Sequence, residues 1–234
     1  MDDIKGIKLS PENLAGMIDH TLLKPSAMPE DFEKLCKEAR EYHFKMVAIN
    51  GAQADRCVKL LSGSGVHVGV AVGFPLGQMT LETKLYETQD ALSRGVDEID
   101  YVVNLTELKS GHISFIEDEM KRIVSCCREK NAVVKVIFEN CYLTDDEKKM
   151  LCEIACKVKP DFIKTSTGFG IGGATVEDVR LMKSAVGERV QIKAAGGIRS
   201  MDKALSLINA GARRIGTSSG VKIVNEYKAL LLSK

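Results

Sequence analysis

Eight short β-branched runs alternate with eight segments of helical periodicity along the 234 residues, and this alternation limits the fold more than any other feature of the chain. The candidate strands are Met17–Leu22, Met46–Asn50, Val66–Gly73, Glu98–Val103, Val133–Glu139, Asp161–Ser166, Val190–Ala194 and Arg213–Thr217. The candidate helices are Pro29–Tyr42, Gln53–Ser62, Thr80–Arg94, Ile113–Lys130, Thr144–Lys157, Thr175–Val186, Ser200–Asn209 and Ser219–Leu232. Strict alternation with short connections requires parallel strands joined by right-handed crossovers, and eight such units close into a TIM (β/α)8 barrel. A doubly wound open sheet is the alternative. Ser10–Gly16 reads as a short extra N-terminal helix over the bottom of the barrel. Length alone allows one large domain or two small ones. With no linker or low-complexity tract, residues 1–234 are expected to form one barrel domain.

Local signals agree with this division. Thr144 with Glu147 three residues later forms a capping box, in which each side chain takes a backbone N–H that the helix start leaves unpaired. Gly95, Gly187 and Gly211 close helices ahead of the next strand.

Charge narrows the class of partner. The 33 Lys and Arg against 32 Asp and Glu leave a net +1, interleaved along the chain, which is no footprint for nucleic acid or an anionic membrane. No apolar run approaches the roughly 18 residues of a bilayer span. The start, Met-Asp-Asp-Ile-Lys, has no basic region followed by an apolar one, so a cytoplasmic protein is expected. Seven cysteines, an odd number in a chain this long, read as free thiols of a reducing compartment. Cys152 and Cys156 share a helix face without a neighbouring histidine. Histidines 20, 43, 67 and 112 lack ligand spacing, so no metal and no cofactor are expected.

Barrel enzymes carry their chemistry at the C-terminal ends of the strands, and there several strands hold residues that a purely structural strand avoids. Asp100 lies in Glu98-Ile99-Asp100-Tyr101-Val102-Val103-Asn104, Lys164 in Phe162-Ile163-Lys164-Thr165-Ser166, and Lys193 in Gln191-Ile192-Lys193-Ala194-Ala195. A buried lysine is costly and is normally paired, so each lysine taken singly reads as a snorkelling group or a structural partner of Asp100. Two of them on adjacent strands among small residues point instead to amine catalysis. One lysine must then be neutral to attack a carbonyl, and a neighbouring ammonium group lowers its pKa.

Three Gly-rich turns follow at the same rim: Thr167-Gly168-Phe169-Gly170-Ile171-Gly172-Gly173, Gly196-Gly197-Ile198-Arg199 and Gly216-Thr217-Ser218-Ser219-Gly220. Glycine lets backbone N–H groups approach an anion, and helix starts add their positive dipole end. A small phosphorylated molecule is the expected ligand.

These residues resemble the deoxyribose-phosphate aldolase family nearly end to end. The first-strand segment Asp19-His20-Thr21-Leu22-Leu23-Lys24-Pro25 and the third-strand loop Val72-Gly73-Phe74-Pro75-Leu76-Gly77 are similar to its signatures. So are Glu98 to Asn104, Lys164-Thr165-Ser166-Thr167-Gly168-Phe169 and Lys193-Ala194-Ala195-Gly196-Gly197-Ile198-Arg199. The resemblance implies a Schiff base on Lys164, with Asp100 and Lys193 in proton transfer and Lys193 tuning Lys164. It implies reversible cleavage of 2-deoxy-D-ribose 5-phosphate to D-glyceraldehyde 3-phosphate and acetaldehyde, and a homodimer. Substrate contacts are expected from Asp19, Thr21, Thr167, Gly168, Gly196, Gly197, Arg199, Gly216, Ser218 and Ser219.

The chain also departs from that pattern. Phe169 stands where some members carry a phosphate-binding lysine, and Thr106 and Asn140 stand where a Gly and a Thr are expected. The end, Leu231-Leu232-Ser233-Lys234, lacks the tyrosine tail of some members; the last tyrosine is Tyr227, inside a predicted helix. Two other readings stay open: a metal-dependent aldolase or phosphosugar isomerase on the same barrel, and an inactive phosphosugar-binding barrel.

Overall fold

The computed structural model describes residues 3–4 and 7–232, with residues 3, 4, 7 and 8 described by their backbone alone; Ser233 and Lys234 of the expected chain end lie outside the described residues. Strands β1 (Asp3–Ile4) and β2 (Ile7–Lys8) pair antiparallel, apart from the main sheet. The main sheet is a closed barrel of parallel strands: β3 (Ile18–Thr21), β4 (Met46–Asn50), β5 (His67–Val72), β6 (Glu98–Val102), β7 (Val133–Ile137), β8 (Phe162–Lys164), β9 (Gln191–Ala195) and β10 (Arg214–Thr217). β10 pairs with β3, so the sheet has no edge and the open-sheet alternative falls.

The helices are α1 (Pro11–Ala15), α2 (Pro29–Tyr42), α3 (Ala54–Leu61), α4 (Leu81–Ser93), α5 (Leu105–Lys109), α6 (Ile113–Glu129), α7 (Asp145–Val158), α8 (Val176–Val186), α9 (Met201–Ala210) and α10 (Gly220–Leu232). α1 is the expected extra helix. It directly precedes β3, is capped by Ser10, buries Leu14 and Ala15, and packs on α10. α7 starts with the expected capping box, Thr144 accepting from Glu147 N while Glu147 accepts from Thr144 N. α5 was not expected. Five residues are too few to display a hydrophobic period, and its one local signal is Asn104, whose side chain accepts from Glu107 N.

Several strands end earlier than expected, among them β7 and β8, while β9 runs one residue further, to Ala195. β7 stops at Ile137, and Glu139, expected within the strand, adopts a left-handed conformation with φ 57°. In a parallel sheet, paired residues face the same side. The register therefore sets Lys164 beside Lys193, Lys193 beside Arg214, Asp100 beside Lys135 and Asp19 beside Gly216, all inside the barrel. The alternate residues Ile99, Tyr101, Ile163, Ile192 and Ile215 are buried and belong to the apolar core. All seven cysteines are free, with Cys36, Cys57, Cys127 and Cys152 buried. Among the described residues no helix is long and apolar enough to cross a membrane.

Candidate active site

The barrel interior holds a closed ring of alternating charge. Asp100 Oδ1 bonds Lys135 Nζ at 2.7 Å; Lys135 contacts Glu98; Glu98 Oε2 bonds Arg214 at 3.0 Å. Arg214 Nε donates to Asp19 Oδ1 at 2.6 Å, Asp19 Oδ2 lies 2.5 Å from Lys193 Nζ, and Lys193 returns to Asp100 Oδ2 at 2.7 Å. The Asp19–Lys193 contact is an ion pair without hydrogen-bond geometry, since Asp19 Oδ2 has no hydrogen-bond partner. All six side chains are buried. Three carboxylates balance three cations, which is how buried charges become tolerable.

Lys164 is the seventh member and the surplus cation. Its Nζ donates to Asp100 Oδ2 at 2.8 Å, the oxygen that Lys193 already occupies. Burial is the largest influence on Lys164. With Lys193 nearby it outweighs the pull of Asp100 and lowers the amine to about 8. Lys135 goes the other way: burial disfavours its charge, but Asp100 and Glu98 outweigh it and hold the ammonium form above the ordinary lysine range. Burial likewise disfavours the Asp100 anion, yet Lys135, Lys164 and Lys193 hold its carboxyl well below the usual carboxylate range. Asp100 and Lys135 are thus held in their charged forms, and Lys164 beside them is the group poised to lose a proton.

Lys164 also opens outward. Among the described residues it is the one member of this cluster that lines a cavity of about 200 Å³ at the C-terminal rim. Thr21, Thr167, Gly168 and Gly196 share its wall, as do Gly197, Arg199, Gly216 and Ser218. Thr21 Oγ1 donates to Asp19 O, and Thr167 Oγ1 accepts from Phe169 N while donating to Glu139. Gly168, Gly196 and Gly197 have φ of 87°, 91° and 73°. Gly196 and Gly173 pack backbone to backbone, so the turns after β8 and β9 touch where any Cβ would collide. A Cβ on Gly216 would meet Lys193 Cε at 3.1 Å, so this glycine makes room for the lysine stem.

Four expected residues sit elsewhere. Asp19 is fully buried beneath the cavity and paired with Lys193 and Arg214, because its place on β3 aims it into the ring. Asp100 and Lys193 lie just behind Lys164 rather than on the wall. Ser219 is half-buried, its N–H engaged by Thr217 Oγ1 at 2.9 Å. Of the departures, Asn140 is buried, Thr106 is exposed on α5, and Tyr227 is buried with its hydroxyl donating to Leu9 O.

Lys135, Glu98, Arg214 and Glu139 went unnoticed in the sequence. Lys135 carries the signal that Lys164 and Lys193 carry, a lysine inside an apolar strand, Val133-Val134-Lys135-Val136-Ile137. Glu139 is buried, and its carboxylate accepts from both Thr167 N, at 3.1 Å, and Thr167 Oγ1.

Residues 14–226 match the model of the DeoC/LacD family aldolases. The chain is 56% identical over 222 residues to the deoxyribose-phosphate aldolase of Bacteroides thetaiotaomicron, covering 95% of this chain and 93% of that protein. It is 54% identical over 224 residues to the deoxyribose-phosphate aldolase of Lactobacillus acidophilus, covering 96% and 93%. Among solved structures, the deoxyribose phosphate aldolase of Aeropyrum pernix, described as tetrameric, superposes with a TM-score of 0.88 at 37% identity, covering 94% of this chain and 93% of that one.

Proposed function

Because this chain belongs to the DeoC/LacD family of aldolases, we propose that it reversibly cleaves 2-deoxy-D-ribose 5-phosphate to D-glyceraldehyde 3-phosphate and acetaldehyde through a Schiff base on Lys164. The observation that carries the assignment is the position of Lys164: surplus to a balanced ion ring, lowered to about 8, and open to the cavity. An amine in that state is neutral in roughly a tenth to a fifth of molecules near physiological pH, far more than an ordinary lysine, and can attack an aldehyde.

Neutral Lys164 adds to C1 of the open-chain sugar and loses water, leaving an iminium ion beside Asp100. The iminium accepts the electron pair of the C2–C3 bond as the C3 hydroxyl gives up its proton, and an enamine remains on Lys164. Asp100 and Lys193, joined at 2.7 Å, form the proton-exchanging pair, a water linking Asp100 to the C3 hydroxyl. Protonation at C2 and hydrolysis release acetaldehyde. The glycine turns at Gly168, Gly196 and Gly197, with Ser218, Ser219 and Arg199, receive the phosphate. Thr21 and Thr167 take substrate hydroxyls, and Asp19 acts through Lys193. The protein works as one barrel domain, in the cytoplasm, as a homodimer.

Borohydride added with acetaldehyde tests the proposal. It should inactivate the protein and leave a two-carbon adduct on Lys164, with activity unaffected by EDTA. An adduct on Lys193 would reverse the assignment, and EDTA-sensitive activity without an adduct would favour a metal-dependent aldolase.

A further inference from the structure

Glu139, buried just past β7, takes no part in the proton transfers at Lys164. Phe138 N donates to Lys164 O and Asn140 N to Thr165 O, both at 2.9 Å, so the pairing with the β8 segment continues on either side of it. Glu139 itself is left-handed, with φ 57° and ψ 60°, and its side chain leaves the strand's alternation for the turn after β8. There its carboxylate takes both donors of one residue. Oε1 accepts from Thr167 N at 3.1 Å, and Oε2 accepts from Thr167 Oγ1. Gly170 lies over this pair, where a Cβ would meet Cys141 Sγ at 2.9 Å and Glu139 Cδ at 3.2 Å.

A buried carboxylate is costly, and those of the ion ring are compensated by cations. The partners of Glu139 among the described residues are Thr167 N, Thr167 Oγ1 and, at 3.9 Å, the weakly donating Cys141 Sγ, with no cation among them. The consequence falls on Thr167, which shares the cavity wall with Lys164. A hydroxyl has one proton, and Thr167 gives it to Glu139, while one of its lone pairs accepts from Phe169 N at 3.0 Å. The side chain is left with acceptor capacity alone. Thr21, on the same wall, is in the same state, its proton given to Asp19 O at 2.9 Å.

We propose that Glu139 is a positioning residue, which holds the Thr167 hydroxyl as an acceptor on the cavity wall, so that the site selects a substrate hydroxyl able to donate. The inference rests on the proposed reaction. With C1 on Lys164, phosphate on the glycine turns and the C3 hydroxyl served by Asp100, the hydroxyl left for Thr167 is the one on C4. In the reverse reaction this is the C2 hydroxyl of D-glyceraldehyde 3-phosphate. Glu139 acts from behind Thr167, where it lines a hollow other than the cavity of Lys164.

The experiment measures addition of acetaldehyde to two acceptors, D-glyceraldehyde 3-phosphate and its analogue with fluorine in place of the C2 hydroxyl. Fluorine is close to hydroxyl in size but cannot donate. The intrinsic reactivity of each aldehyde cancels when the ratio of kcat/KM, hydroxyl acceptor over fluorine acceptor, is compared between proteins. Glu139→Gln keeps an oxygen for Thr167 N but sets an N–H against Thr167 Oγ1, which occupies the remaining lone pair and turns the hydroxyl proton outward. The ratio should fall about fivefold or more from its wild-type value. Thr167→Val, which removes the acceptor outright, should lower the ratio as well, and adding Glu139→Gln to it should lower the ratio no further. A wild-type ratio in folded Glu139→Gln would make the clamp purely structural and overturns the proposal. So does a wild-type ratio in Thr167→Val, or a further fall in the double variant. A wild-type protein that neither cleaves deoxyribose 5-phosphate nor adds acetaldehyde to either acceptor overturns the proposed function instead.

Discussion

Lys164 and Lys193 meet at a single atom, both ammonium nitrogens bonding Asp100 Oδ2, at 2.8 and 2.7 Å. One carboxylate oxygen cannot fully compensate two buried positive charges. The conflict is relieved when Lys164, the member facing the cavity, gives up its proton.

That relief sets a pH dependence. Imine formation needs neutral Lys164, and the proton leaves at about 8. The rate of borohydride trapping at saturating acetaldehyde should therefore fall as pH drops below that value, approaching tenfold per unit, and level off above it. A trapping rate flat between pH 6 and 9 would mean that Lys164 is not the titrating nucleophile.

Lys193→Leu should move this midpoint upward. Both nitrogens bond one oxygen, at 2.8 and 2.7 Å, so they are less than about 6 Å apart, and at an effective dielectric near 20 they repel by roughly 3 kcal/mol or more, at least about two pKa units, which the substitution removes. The variant should also have a lower plateau, through the loss of its proton-transfer role. A lower plateau with an unshifted midpoint would confine Lys193 to proton transfer.

The ion ring predicts an effect on stability. Glu98→Gln leaves Lys135 and Arg214 each short of a buried partner, a change of the kind that costs about 3–5 kcal/mol. Urea unfolding at neutral pH should show a lower midpoint, while Glu82→Gln, at an exposed pair with Arg122, should lie within about 0.5 kcal/mol of wild type. Equal midpoints for the two variants would show that the ring contributes nothing to stability.

For phosphate, Gly197 offers a direct probe. Its φ of 73° disfavours any side chain, and a Cβ there would project into open space. Gly197→Val should strain the turn and obstruct the anion, raising KM for deoxyribose 5-phosphate far more than for unphosphorylated 2-deoxyribose. Equal slowing of both substrates in a folded variant would make the turn structural. Phe169→Lys should lower KM for the phosphorylated substrate, more at low salt than at high salt, because screening weakens the added charge.

The periodicity of the chain by itself determined the eight repeats, because a strand or helix is specified by neighbours a few residues apart, and their number made a barrel the expectation with an open sheet as the alternative. The lysines at 164 and 193 and the aspartate at 100 were legible for the same reason: each is a charge in a strand that otherwise reads as core. Lys135 carries the same signal and went unread, and taken alone it has nothing to mark it as a partner of Asp100. Only the tertiary structure decided that pairing, along with Arg214 joining Asp19 across 195 residues and Glu98 across 116. These contacts exist because β10 closes against β3 and the register places each side chain in the interior. The charge balance that leaves Lys164 as the surplus cation is a property of that closed ring, and no segment of the chain contains it.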